Sequence, residues 1–160
     1  MSDAAAPGAR LLALWRRLRS VPGGKRLFSR LLGRMVPYTG SVGARVTELE
    51  PGVARAELSD RKRVRNHLGS VHAVALVNLG EMVTGLSVLS ALPPGMRGIV
   101  TRLSAEYLRK ARGPLIASAD VRALDLVNIV DTADVQAVAD IVDASGQTVA
   151  RVTAHWRVSR

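Results

Sequence analysis

A chain of 160 residues has the size of one domain, and its 48% hydrophobic and 22% charged residues supply a core without the composition of a disordered protein. The absence of cysteine excludes disulfides, thiolate metal sites, iron–sulfur clusters and cysteine nucleophiles together. The net charge of +10 is uneven: residues 1–40 hold eight basic residues against Asp3, and residues 41–160 hold fifteen against twelve. Such a leader reads either as an amphipathic cover on the domain or as a segment that meets an anionic membrane surface or nucleic acid. Arg16-Arg17-Leu18-Arg19 runs into Ser20, Val21, Pro22, Gly23 and Gly24 where a signal peptide needs its apolar stretch. A soluble, cytoplasmic protein is expected.

In chain order, Leu11, Leu14, Trp15 and Leu18 share one side of a helix that Pro22-Gly23-Gly24 ends. A second short helix follows, with Leu27, Phe28, Leu31, Leu32 and Met35 as its apolar residues, and closes at Pro37. From Ser41 the period shifts towards two, with Val42, Ala44 and Val46 alternating against polar neighbours, and Glu50-Pro51-Gly52 turns the chain into Val53–Ser59. A hairpin is predicted there. The basic run Arg61–Arg65 and a loop over Asn66–Ser70 lead into a predicted helix from Val71 to about Leu92, stopped by Pro93-Pro94-Gly95. Its apolar residues lie on both faces, Leu76, Leu79, Val83 and Leu86 on one and Val74, Val77 and Val88 on the other. A helix apolar all round must be enclosed.

Four two-period strands follow. Ile99, Thr101, Leu103, Ala105 and Tyr107 form one predicted face, then Leu115–Ala123, Val135–Ile141 and Thr148–Val158 alternate in turn, with Arg112-Gly113-Pro114 and Asp143–Gly146 as turns. The inward positions are mostly small: Ala105, Ala117, Ala119, Ala137, Ala139, Ala150 and Ala154. The expected architecture is therefore α+β, a curved antiparallel sheet wrapped closely around a long central helix. Residues 1–37 are read as a basic helical extension and residues 38–160 as the domain.

Among the 31 residues between Arg65 and Arg97 one side chain is formally charged, Glu81, and it falls mid-helix. An isolated carboxylate in apolar surroundings costs several kcal/mol, so it is paired with an arginine from a strand or a neighbouring subunit, neutralised, or aimed into a cavity for general-base or nucleophilic work. Ahead of the helix stands Asn66-His67-Leu68-Gly69-Ser70-Val71-His72-Ala73. Gly69 permits a tight turn, and the N–H groups around His72 and Ala73 form a positive helix end able to polarise a carbonyl oxygen. The plainer reading makes Asn66 or Ser70 a helix cap and His72 a core histidine. His67, His72 and His155 lack the ligand cluster a metal site needs, so no metal is expected.

The run from Asn66 to Glu81 resembles the hotdog-fold thioesterases of the phenylacetate-pathway (PaaI-like) type. Asn66, Gly69, His72 and Glu81 keep that family's spacing, and Tyr107–Leu115 is similar to its strand and turn after the helix. Ala73 and Val74 stand where the family has Gly-Gly, and Glu81 where it mostly has Asp. The loop and the basic leader are most similar to a branch of unknown function. The resemblance implies an acyl-CoA thioesterase without a cofactor, coenzyme A being part of the substrate. In it the N–H of Ala73 receives the carbonyl oxygen, Glu81 activates water or attacks, and Asn66 orients the water or thioester. Arg102, Arg109, Lys110 and Arg112 are candidates for the coenzyme A phosphates. An acyl-ligand binding module without catalysis, a hotdog dehydratase and weak nonspecific nucleic-acid contact through residues 10–34 are the competing readings; specific nucleic-acid binding is not expected.

Helix geometry adds one constraint. His72 and Glu81 are nine residues apart, roughly 13 Å along a helix axis and on opposite sides of it. If both serve one thioester they come from two protomers, which predicts a homodimer or a dimer of dimers.

Overall fold

Three helices, not two, precede the first strand. The computed structural model describes residues 7–160 and places α1 at Pro7–Leu18, α2 at Gly24–Met35 and α3 at Pro37–Val42. Of the alternation read from Ser41 onward, Ser41 and Val42 thus belong to α3 and Gly43 to its cap, and the strand begins only at Arg45. Pro37 opens α3 at its first turn, and Gly43 ends it with φ +71°, a left-handed conformation that suits glycine. The hairpin then forms from β1 (Arg45–Glu50) and β2 (Val53–Leu58), and a single 3-10 turn at Lys62–Val64 precedes the long helix α4 (Ala73–Ala91). Four strands complete the chain: β3 (Arg97–Tyr107), β4 (Leu115–Asp120), β5 (Thr132–Val142) and β6 (Thr148–Ser159). The fourth predicted strand, read as Leu115–Ala123, stops at Asp120.

All six strands lie in one antiparallel sheet of order β1-β2-β4-β5-β6-β3, which leaves β1 and β3 as its edges. The concave face carries the small residues anticipated from the alternation. Ala117, Ala119, Ala137, Ala139, Ala150 and Ala154 are buried, while Ala105 is partly covered. Their size lets the sheet close on α4, and glycines on the helix complete the fit. A Cβ added at Gly80 would sit 2.4 Å from Val152, and one at Gly85 would sit 3.0 Å from the Trp156 ring. By length and composition α4 could cross a membrane, yet most of it is buried against this sheet, as in the core helix of a globular domain.

Helices α1 and α2 close the core on the β1 side. Trp15, Phe28 and Leu32 are buried in the same cluster as Val46, Leu58 and Leu79, and the Trp15 and Phe28 rings meet edge to face at 5.1 Å. The basic residues of these helices stay on the outside. The leader is therefore amphipathic, with its apolar stripe inside the fold.

Strand β3 departs from its predicted alternation. A bulge between Val100 and Arg102 inserts Thr101 as an extra residue, so Gly98 and Val100 oppose the buried Val158 and Trp156, whereas beyond the bulge Leu103 and Ala105 oppose the buried Ala154 and Val152. Ile99 opposes exposed Arg157 and lies on the convex face, away from Leu103 and Tyr107. One inserted residue changes which side chains share a side.

Candidate functional site

The loop before α4 is held by its own backbone and one side chain. Asn66 Oδ1 accepts the N–H groups of Leu68 at 3.0 Å and Ser70 at 3.2 Å, the Asn66 N–H donates to the Ser70 carbonyl at 2.8 Å, and Gly69 supplies the φ of +68° at the turn. The next residues are tied to both flanks. The Val71 N–H donates to the Ala111 carbonyl at 2.8 Å, and the His72 N–H to the Val64 carbonyl at 2.7 Å. Asp60 braces the same corner from below: its carboxylate accepts Arg65 Nε at 2.6 Å and the Gly113 N–H at 2.8 Å, which hold it below the ordinary carboxylate range.

The helix cap is neither Asn66 nor Ser70. His72 caps α4, its Nδ1 accepting the Val74 N–H at 3.1 Å, and its side chain is exposed rather than in the core. Asn66 instead folds the loop, and Ser70 Oγ is buried without a partner among the described residues. The N–H groups of Ala73 and Ala75 likewise meet no acceptor among the described residues, so the first turn of a 19-residue helix presents open donors. Tyr107, at the end of β3, donates its hydroxyl to the Ala73 carbonyl at 3.4 Å.

Glu81 occupies a different environment. It is half-buried, and its carboxylate has no ion-pair or hydrogen-bond partner among the described residues; burial pushes its pKa up. No arginine of this chain's own strands reaches it. With Val74 and Val77 it forms the one stripe of α4 left open over the helix's first half, since Thr84 and Val88, which continue that side, are fully buried.

The remaining candidates lie elsewhere. Arg102 opposes His155 on β6, and Arg109, Lys110 and Arg112 sit on the turn after β3; all four cations are exposed, and none lines a principal cavity. The structure thus gathers Asn66, Gly69, His72 and Ala73 at one end of α4 and sets Glu81 two turns along it. Two contributors escaped the sequence reading. Asp60 is marked only by being the one acid beside the basic run Arg61–Arg65, and Tyr107 was read merely as a strand end.

A single antiparallel sheet curled around one long helix, with a donor-rich helix start and a lone carboxylate farther along, defines a protein of the hotdog fold. The chain belongs to the DUF4442 family, a domain of unknown function whose profile matches residues 24–158 and so takes in α2 and α3. A provisionally named esterase of Halobacterium salinarum is 33% identical over 126 residues, covering 74% of this chain and 82% of the relative. Among solved structures, the structural-genomics target APC5556 superimposes with a TM-score of 0.82 at 29% identity, covering 94% of this chain and 98% of its own. PA5026 of Pseudomonas aeruginosa, described as a protein of unknown function and probable thioesterase, gives a TM-score of 0.75 at 23% identity, covering 87% and 96%.

Proposed function

We propose that this chain hydrolyses acyl thioesters, with acyl-CoA as the substrate class, and does so as a homodimer. The observation that carries the reading is the pairing of opposites on α4: open N–H donors at Ala73 and a half-buried, unpartnered carboxylate at Glu81. Within one helix these groups are roughly 12 Å apart along the axis, too far to meet at one carbonyl. A two-fold partner whose α4 runs alongside would set the Glu81 of one protomer against the Ala73 of the other. The open stripe of Val74 and Val77 and the unpaired edge of β3, with Leu103 and Tyr107 exposed beside it, provide the surface for that contact.

In the proposed reaction Glu81 takes a proton from water as the hydroxyl attacks the thioester carbon. Negative charge gathers on the carbonyl oxygen against the Ala73 N–H, the carbon–sulfur bond breaks, and the departing thiolate is protonated. A direct attack by Glu81 would pass through an anhydride that water then opens. The cations proposed for the coenzyme A phosphates are Arg102, Arg109, Lys110 and Arg112. The second reading, an acyl-ligand binding module, gains support from Asn66, whose Oδ1 is already occupied by two N–H groups of its own loop.

Thiol release from acyl-CoAs of graded chain length separates the two readings, since binding without release favours the module. Glu81→Gln should lower hydrolysis by about 10²-fold or more. Mixing Glu81→Gln with Asn66→Ala under subunit exchange should restore activity towards about a quarter of wild type, because half the dimers are mixed and each has one intact site of two. Activity that stays at the sum of the parents, with exchange confirmed, overturns the shared site.

A further inference from the structure

Arginines on this molecule fall into two populations. Along β1, β2 and β6 and in the turn after β4 they are matched: Arg45 pairs with Glu57, Arg55 with Glu48, Arg122 with Asp120, Arg151 with Asp140 and Arg157 with Asp134. Around the groove that α2 and α3 form against the start of β1 they are not. Arg26, Arg30, Arg34, Arg45, Arg61 and Arg63 line a cavity of about 590 Å³ into which no acidic side chain projects, and of the six only Arg45 has a carboxylate partner among the described residues.

The arrangement has a stated electrostatic cost. Arg26, Arg30 and Arg34 recur every fourth residue on one side of α2, the spacing at which like charges repel. Arg61 and Arg63 are held rather than free. Arg61 Nη2 donates to the carbonyls of Val42 at 2.9 Å and Gly43 at 3.2 Å, and Arg63 Nη2 donates to the Ser41 carbonyl at 2.5 Å, so the C-terminal end of α3 fixes both guanidinium groups at the rim. The helices that form the wall approach too closely for side chains: a Cβ on Gly33 would lie 2.8 Å from the Gly40 Cα. Leu32, Thr39 and Met82 supply a partly apolar floor, and through Met82 the groove reaches α4 one residue from Glu81.

We infer that this groove is a binding site for a multiply phosphorylated small molecule. Planar guanidinium groups recognise phosphate by paired, charge-assisted hydrogen bonds, and several converging on one concavity match an anion carrying more than one phosphate better than a single carboxylate. The volume is that of a cofactor-sized ligand rather than of an inorganic ion. A flat membrane surface would need the charges on a convex face, and duplex nucleic acid would need them in a long track; here they converge. The site stands whether or not Glu81 turns over a thioester.

The test is calorimetric titration of the full chain with inorganic pyrophosphate, the bare chemistry, and with two possible sources: coenzyme A, and vesicles of phosphatidylcholine with and without phosphatidate. Arg30→Gln with Arg34→Gln removes two exposed charges that have no acidic partner; Arg97→Gln with Arg160→Gln removes the same charge on the β3–β6 side. Saturable pyrophosphate binding that weakens about 10-fold or more in the first variant and less than about 2-fold in the second supports the site. Coenzyme A following the same pattern identifies the source as a soluble phosphate ester, whereas phosphatidate vesicles should bind no more weakly to the first variant than to the second. Equal weakening in both variants shows a response to net charge alone and overturns the proposal, as does binding to phosphatidate vesicles without saturable binding of either soluble phosphate. Circular dichroism of both variants confirms that a lost signal is not a lost fold.

Discussion

The two halves of α4 share one composition and live in different surroundings. From Met82 to Val88 every residue is buried, with Val83, Thr84, Ser87 and Val88 fully so, because the sheet closes on that half through its alanines and through Gly80 and Gly85. The first half leaves Val74 at 50% exposure and Val77 and Glu81 partly open. The enclosed half anchors the fold, and the open half is where the proposed chemistry and the proposed partner would have access. Uniform hydrophobicity says that a helix is covered; it does not say whether its own chain does the covering.

Truncation should separate the halves most sharply. Leu86→Ala empties space in the enclosed half and should cost about 2–5 kcal/mol in urea unfolding, whereas Val74→Ala in the open half should cost less than about 0.5 kcal/mol in the dilute protein. Equal costs would mean that the isolated protomer already covers both halves. A somewhat smaller effect is expected from Gly80→Ala, whose added methyl meets the branched carbon of Val152 rather than a flexible chain end. It should destabilise by about 1–3 kcal/mol, and paired with Val152→Ala it should recover part of the loss in a double-mutant cycle.

The smallest effect is the most specific, because it concerns charge rather than volume. Burial raises the pKa of Glu81 above its unfolded value of 4.5, so the folded state holds the proton more tightly than the unfolded chain does. That contribution is fully present below pH 4.5 and is lost as the pH rises through the folded pKa. Glu81→Gln should therefore be at least as stable as wild type at pH 7, and its stability should fall less between acid and neutral pH. A variant less stable at pH 7 would show that the carboxylate has a stabilising partner.

Much of this arrangement was legible in the residues. The strand alternation placed the small inward residues of β4, β5 and β6, and the lone charge drew attention to Glu81. What escaped follows from forces with weak local signatures. Pro37 and Gly43 are proper bounds for a short helix, but Val42, Ala44 and Val46 mimic a strand beside them. The bulge at Thr101 is set by pairing with β6, more than forty residues away in sequence, and nothing near Thr101 announces it. Asn66 and Ser70 are better intrinsic caps than His72, yet the bond of the His72 N–H to Val64 and the loop's demand on Asn66 leave the imidazole nearest the free N–H of Val74. The groove arginines were visible only as net charge, because their convergence depends on how α2, α3 and the Lys62–Val64 turn pack.

The strand order carries a consequence for biosynthesis. β3 emerges from the ribosome directly after α4, but its sheet neighbour is β6, the last strand of the described chain. β4 and β5 can dock onto the β1–β2 hairpin as they appear, while β3 waits with both edges unpaired and with Leu103 and Tyr107 uncovered. A nascent chain stalled before Thr148 would expose an eleven-residue template for pairing with other chains, so the interval between synthesis of β3 and of β6 is when this protein is most open to misassembly and most dependent on chaperones.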